Sequence, residues 1–169
     1  MLTAKNIKKL LKELNEELAI KNVLGEIGLC GGAVMCLVFK ARSSTKDIDA
    51  IFEPTKEIRE AAKRVAKRHS LSDGWLNDAA KSYFVSDPPR QSVLELSHLR
   101  VWAPKAEYML AMKCVAARFD TADLDDVRFL IDYLELKQRA KVFEIIEQYY
   151  PKKIIPSKTQ FVIEELMEE

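Results

Sequence analysis

The sequence is poor in the residue types that mark several common functional classes. It has two histidines, three cysteines and five glycines among 169 residues. Neither the histidines nor the cysteines have metal-ligand spacing, and no CxxC pair occurs, which argues against zinc-finger and thioredoxin-like motifs. Walker, Rossmann and GxSxG patterns are absent as well. An odd number of cysteines without a secretory signal favours reduced thiols, so we expect a cytoplasmic protein.

The chain also lacks a long apolar run and an excess of charge of either sign. Its longest apolar stretch, 27–39, is too short to span a bilayer, so we expect no membrane partner. Because 27 basic residues balance 26 acidic ones, any nucleic-acid contact would need a local basic patch. One basic run on a predicted helix could serve as such a patch, or could simply be a solvated face. It consists of Lys63, Arg64, Lys67 and Arg68.

Hydrophobic periodicity predicts an α+β fold. Residues 2–20 and 54–69 have apolar residues at helical spacing, and apolar runs at 25–30 and 47–52 predict buried strands. We also expect short helices at 33–39 and 75–80 and a strand at 93–101. In the rest of the chain we expect four helices, at 104–119, from residue 121 onward, at 141–150 and at 157–167. A small αβ core in residues 1–103 should therefore carry a helical region, 104–169, packed on it as one compact unit.

Two aspartates, Asp47 and Asp49, lie one residue apart at the start of a predicted buried strand. Residues i and i+2 of a strand point to the same face, about 7 Å apart, so the two carboxylates would repel each other. A divalent cation would relieve this repulsion, and Mg²⁺ prefers such oxygen ligands. Paired metals suit phosphoryl or nucleotidyl transfer. The simpler alternative is an exposed strand end at which Asp47 caps a turn.

Two further features could bind phosphate. Gly31 and Gly32 lie between an apolar strand and a predicted helix, where backbone N–H groups can approach a phosphate closely. A tight turn is the alternative. Lys113 lies on a helix that is apolar almost all round, so it needs an anionic partner, such as phosphate, or a route to solvent along its own stem.

Together these residues resemble the nucleotidyltransferase superfamily with the polymerase-β-like fold, in which Gly-Gly or Gly-Ser precedes Asp-hydrophobic-Asp on the next strand. Within it, the chain is most similar to small bacterial proteins related to AbiEii-type toxins of toxin–antitoxin systems. The resemblance covers roughly residues 25–151. The stretches that carry it are CGGAVMCLVFKARSSTKDIDAIF, WLNDA at 75–79, PKAEYMLAMKCVAARFDTADLDDVRFL and YYP at 149–151.

The resemblance implies a small mixed β-sheet with flanking helices and a C-terminal helical segment. It also implies transfer of a nucleoside monophosphate from an NTP to an RNA, protein or small-molecule acceptor, with Mg²⁺ or Mn²⁺, and an antitoxin protein as a partner. Asp47 and Asp49 would be catalytic and would bind the metal. The nucleotide would be held by Gly31, Gly32, Ser44, Thr45, Lys113 and Asp126.

One part of the superfamily pattern has no clear match in this sequence. Members carry a third carboxylate on a later strand, which helps to activate the attacking hydroxyl. Glu95 is the nearest candidate for this catalytic role, and Asp78 is the second. Without a third acid, the alternative is a catalytically degenerate module that binds a nucleotide or a partner protein.

Overall fold

The computed structural model describes residues 1–116, 118 and 121–168, and it confirms the predicted α+β class. The chain divides into two compact units. The first consists of Met1–Ser82 with Arg90–Pro104, and the second of Tyr83–Pro89 with Lys105–Glu169. None of the described helices is long and apolar enough to cross a bilayer.

The first unit contains a mixed sheet and three helices, α1 (Ala4–Ile20), α2 (Gly31–Leu37) and α3 (Thr55–His69). Five strands form the sheet in the order β5-β4-β2-β7-β6, in which β2 is antiparallel to β4 and parallel to β7. Two further strands, β1 and β3, pair separately and antiparallel. The strands are β1 (Leu2–Thr3), β2 (Gly25–Leu29), β3 (Ser44–Thr45), β4 (Ile48–Glu53), β5 (Leu76–Asn77), β6 (Arg90–Glu95) and β7 (Leu99–Pro104).

One face of the central sheet packs against α1 and α3. Alternate residues of β4, from Ile48 to Phe52, are buried on this face. On β2 the same face includes Gly25, where an added Cβ would lie 2.8 Å from Leu18 of α1 and 3.2 Å from Ile58 of α3. Since successive strand side chains alternate, Asp49 points to the opposite face. Asp49 therefore lies on the side of β4 that faces away from α1 and α3.

Ion pairs connect the charged sides of α1 and α3. Arg64 Nε donates to Glu17 Oε2 at 2.6 Å, and Arg68 binds both Glu17 and Glu13. His69 Nε2 lies 2.7 Å from Glu13 Oε2. The bond from Arg64 lowers the pKa of Glu17 against the opposing effect of burial. Burial raises the pKa of Glu13, but the bonds from His69 and Arg68 outweigh it, so that this pKa is also lowered.

This network predicts a loss of stability in acid. Both folded pKa values lie below the usual 4.5, so the ionised carboxylates stabilise the folded state fully above about pH 5. That contribution is lost as the pH falls from 4.5 through the lowered folded values. The variant Glu13→Gln/Glu17→Gln should therefore show a flatter dependence of unfolding free energy on pH, measured by urea unfolding. Glu16→Gln, at an exposed position of α1, should retain the wild-type dependence. Equal slopes in all three proteins would contradict the prediction.

The second unit is built around a buried helix, α4 (Ala106–Ala116), with α5 (Thr121–Tyr133), α6 (Arg139–Tyr149) and α7 (Ser157–Leu166). Every residue of α4 from Tyr108 to Val115 is buried. Thr159 of α7 donates its hydroxyl to the Cys114 carbonyl oxygen at 2.8 Å, which joins α7 to α4. The segment Tyr83–Pro89 belongs to this unit, and the Tyr83 carbonyl oxygen accepts a 2.6 Å bond from the Tyr150 hydroxyl.

Two predicted elements are wrong. Residues 75–80 do not form a helix, because Leu76 is buried and pairs with Ile48 of β4, while the Asn77 side chain accepts a bond from the Ala79 N–H and turns the chain. The predicted strand 93–101 is two antiparallel strands, β6 and β7. They are joined by a tight turn in which the Leu96 N–H donates to the Leu99 carbonyl oxygen at 2.9 Å.

Candidate functional site

The structure brings the glycine pair and the aspartate strand together. Gly31 begins α2 with a φ of 60°, a left-handed conformation that favours glycine. A Cβ added at Gly31 would lie 3.1 Å from Asp49 Oδ2. The Cys30 N–H also donates to the Asp49 carbonyl oxygen at 2.9 Å. The turn from β2 into α2 is therefore held directly against the second residue of β4.

The loop before β4 lies over the second glycine. A Cβ added at Gly32 would approach Thr45 Oγ1 to 2.6 Å and Arg42 Nη1 to 3.4 Å. Thr45 also donates its hydroxyl to the Asp47 carbonyl oxygen at 3.2 Å. Ser44, which is half-buried, pairs with Thr3 in the small β1–β3 sheet. Gly32, Thr45 and Arg42 are thus neighbours in space at the start of α2.

The two aspartates lie where β4 begins. Asp47 immediately precedes the strand and Asp49 is its second residue, one residue later than the predicted strand start. Both side chains are partly exposed. Asp49 pairs with Asn77 of β5, which gives the edge of the sheet an amide beside the carboxylate. This end of β4 therefore offers hard oxygen ligands near the surface, close to the glycine pair.

The donor set fits a magnesium ion that shares its ligands with a substrate. Mg²⁺ is usually bound through one or two carboxylates, with phosphates and waters completing the octahedron. Within residues 1–116, 118 and 121–168, no group of three or more His, Cys, Asp or Glu side chains is placed to hold a metal ion. Asp47 and Asp49 would be the residues that hold the ion, together with the substrate's phosphate oxygens.

Glu95 is not brought to this site. It pairs with Arg100 at the beginning of β7, and Arg100 pairs in turn with Glu26 on β2. Glu26 pairs with Glu53, at the end of β4 opposite Asp49. Glu95 is also three strands away from β4, about 14 Å by the usual strand spacing. Its side chain is 66% exposed beside Arg100. The strand register therefore argues against Glu95 as the third catalytic acid.

Asp78, the second candidate, is closer to the aspartates but already has a partner. It follows Asn77, which pairs with Asp49. Its Oδ2 accepts a 2.6 Å bond from Arg59 Nη2 of α3. An arginine at this distance neutralises the carboxylate and fixes its direction. Asp78 could act as a third acid only if this ion pair opened.

Lys113 has anionic partners within its own unit. Its Nζ lies 2.7 Å from Asp126 Oδ2 and 3.0 Å from Asp123 Oδ1. The Lys113 side chain is 11% exposed and that of Asp126 is 2% exposed. The sequence required an anionic partner or a route to solvent for this lysine, and the two carboxylates are such partners. They favour a structural role for Lys113 and Asp126 over the expected contacts with nucleotide.

No protein-family model matches the chain, and neither a curated protein nor a solved structure matches it. The function must therefore be inferred from the residues of the site.

Two neighbours of the site were not among the residues predicted from the sequence. Arg42 is not among the predicted site residues, yet its Nη1 would lie 3.4 Å from a Cβ added at Gly32. Asn77 was placed on a helix, although it is the strand partner of Asp49. The basic and hydroxyl-rich composition of residues 42–46 was a usable signal for Arg42. No local sequence signal identified Asn77, because only the pairing of β4 with β5 brings it to Asp49.

The left-handed turn at Gly31 makes a specific prediction. Gly31→Ala should lower the unfolding free energy by about 1–2 kcal/mol, because an L-residue is strained at this φ. The added methyl would also contact Asp49 Oδ2 and displace it. Thermal or urea unfolding measures the cost. Gly74→Ala is the matched control, since nothing lies within 4 Å of a Cβ added there. Equal stability of the two variants would contradict the prediction.

Proposed function

We propose that this protein is a metal-dependent nucleotidyltransferase that moves a nucleoside monophosphate from an NTP to an acceptor hydroxyl. The observation that carries the proposal is the position of Gly31 beside Asp49, where an added Cβ would lie 3.1 Å from Asp49 Oδ2. A glycine turn with open backbone and a strand-borne pair of carboxylates meet at one point. Such a point suits a triphosphate, which needs close backbone approach for its oxygens and a divalent cation for its charge. The sequence resemblance supports the same activity.

The residues divide into three groups by what they would do. Asp47 and Asp49 would hold Mg²⁺ or Mn²⁺, which supplies charge neutralisation and orientation of the phosphates when bound. Gly31 and Gly32 keep the backbone free of side chains where the triphosphate would lie. Thr45 and Arg42, which lie over Gly32, would donate hydrogen bonds to phosphate oxygens. In the transfer, the acceptor oxygen forms a bond to the α-phosphorus, pyrophosphate leaves, and the hydroxyl proton passes to a base.

The proposal has implications for the partners of the protein. It requires an NTP and an acceptor, which can be an RNA, a protein or a small molecule. The resemblance to AbiEii-type toxins adds an antitoxin protein as a further partner. The buried cysteines, Cys30, Cys36 and Cys114, are not joined in disulfides, in keeping with a reducing cytoplasm.

The experiment that tests this function is a magnesium titration with each of the four NTPs. Pyrophosphate release is followed in the presence of RNA, protein and small-molecule acceptors, and thermal shift reports nucleotide binding. We expect Mg²⁺-dependent stabilisation by an NTP and pyrophosphate release with one acceptor class. Absence of both stabilisation and turnover, with every nucleotide and acceptor, would reject the proposal.

A second candidate is a nucleotide-binding or partner-binding module without turnover. One observation favours it: the strand register carries Glu95 to the opposite end of the sheet. Strand β7, which lies between β2 and β6, has the sequence LRVWAP and contains no Asp or Glu that could serve as the third acid. In the same titration this module would be stabilised by an NTP with Mg²⁺ but would release no pyrophosphate with any acceptor.

A further inference from the structure

A row of lysines follows one side of α1. Lys5, Lys8, Lys9 and Lys12 recur at the i, i+3, i+4 and i+7 spacing that places residues on one helix face. All four are exposed. They line a groove of about 1100 Å³, to which Arg68 of α3 also contributes. None of the four lysines forms an ion pair with a described residue. This lysine row therefore presents uncompensated positive charge along the helix.

We propose that the lysine row binds the phosphate backbone of an RNA strand. At a rise of 1.5 Å per residue, Lys5 to Lys12 span about 10 Å of helix axis. Even a DNA duplex carries only one phosphate per 3.4 Å of axis on each strand, so this span can face at most about three phosphates of one strand. Lysines placed in such a row supply point charges that follow the backbone and read no sequence.

The chemistry of the groove favours a polyanion over other occupants. Apart from Ala4, its lining consists of polar and charged side chains. It therefore lacks the large hydrophobic side chains that would anchor an amphipathic peptide or insert between lipids. Two acidic residues also line it, but Glu13 is already bound by Arg68 and His69. The four lysines then outnumber the remaining acid, Glu16, so the groove is positive although the whole chain carries a net charge of only +1.

The lysine row begins beside the loop that precedes the candidate site. Thr3 caps α1, with its hydroxyl accepting from the Asn6 N–H at 3.2 Å, and it pairs with Ser44. Residues 42–45 are therefore adjacent to the first turn of α1. An RNA strand that follows the lysine row towards Lys5 would approach this loop, in which the Thr45 hydroxyl donates to the Asp47 carbonyl oxygen. The inference rests on the proposed function for one point, that the bound RNA is the acceptor.

The basic run noted in the sequence on α3 differs from this row. Arg64 and Arg68 are engaged by Glu17 and Glu13. Lys63 and Lys67 are exposed but do not line the groove. They are four residues apart, as are Lys8 and Lys12. These two pairs therefore allow substitutions with the same charge change and the same helical spacing.

The test compares Lys8→Gln/Lys12→Gln with Lys63→Gln/Lys67→Gln. Fluorescence anisotropy measures binding of a labelled single-stranded RNA of about 20 nucleotides over about 50 to 200 mM salt. We expect the α1 pair to weaken binding about tenfold at low salt and to reduce the salt slope by about 1 to 2. The α3 pair should stay within about twofold of wild type. Thermal melts verify that both variants fold.

Three outcomes would overturn the inference. One is an equal effect of both lysine pairs, and another is wild-type RNA binding by the α1 variant. The third is binding to phosphatidylserine vesicles that depends on Lys8 and Lys12, without RNA binding, which would assign the row to a membrane surface.

The variant Asp49→Asn separates this inference from the proposed function, because it should lose transfer activity and still bind RNA. RNA binding sensitive to the α1 pair, in a protein without transfer activity, rejects only the function. Transfer activity in a protein whose RNA binding is unchanged by the α1 pair rejects only the inference.

Discussion

Asp49→Asn should reduce nucleotidyl transfer at least about 100-fold while leaving the melting temperature close to that of the wild type. Asparagine has the same shape as aspartate but carries no charge and binds Mg²⁺ weakly. The side chain is partly exposed at the surface end of β4, so we expect the substitution to cost little folding free energy. Asp47→Asn should behave in the same way, since it removes the other carboxylate from the proposed metal site.

Pyrophosphate release at saturating NTP and Mg²⁺ measures the effect, and thermal shift with nucleotide gives a readout that does not require turnover. Asp73→Asn is the matched control, because Asp73 is exposed and lies outside the site. It should retain wild-type activity and nucleotide stabilisation. Wild-type turnover in the Asp47→Asn/Asp49→Asn double variant would remove the basis of the proposed function.

Lys113→Met should destabilise the protein by about 3–5 kcal/mol. The substitution leaves Asp126, which is 2% exposed, without the ammonium group 2.7 Å away. A buried carboxylate that loses the cation beside it keeps less compensation for its cost of desolvation. Lys113→Met/Asp126→Leu should recover most of the loss, because apolar residues of similar volume can replace a buried ion pair.

Urea unfolding measures these free energies, and Lys137→Met, at an exposed position of the second unit, is the control. It should change the stability by no more than about 0.5 kcal/mol. The same experiment separates the two roles considered for Lys113. If Lys113→Met kept wild-type stability and instead abolished stabilisation by NTP, Lys113 would be a phosphate ligand and the ion pair would be incidental.

Much of the first unit could be predicted because its signals are local. Helix α1 has apolar residues at every expected position, and all of Ile7, Leu10, Leu11, Leu14 and Leu18 are buried. The short apolar runs at β2 and β4 are bounded by turn residues, and they became strands within one residue of the expected limits. The glycine pair and the aspartates could be placed together from sequence because only a short helix and loop separate them.

The errors concern residues whose conformation depends on distant partners. Leu76 and Asn77 form a strand because β4 is available to pair with them, which no local propensity reveals. The turn between β6 and β7 has the sequence LSH and lacks the Gly, Asn or Pro that usually marks a hairpin. Glu95 was chosen for its charge and strand context, but its position is set by three strand pairings that the sequence does not specify.

The order in which the sheet can form follows from its mixed pairing. Gly25 of β2 pairs with Leu99 of β7, 74 residues later in the chain, so closing that pair costs considerable loop entropy. In contrast, the segment from Gly25 to Glu53 contains β2, the glycine turn, α2 and both aspartates, and its β2–β4 pairing is local. During synthesis the segment that carries the candidate site can therefore pair before β7 has left the ribosome. Its edge would then stay open until the final strand adds to the sheet, which makes the parallel β2–β7 pairing a natural late step in folding.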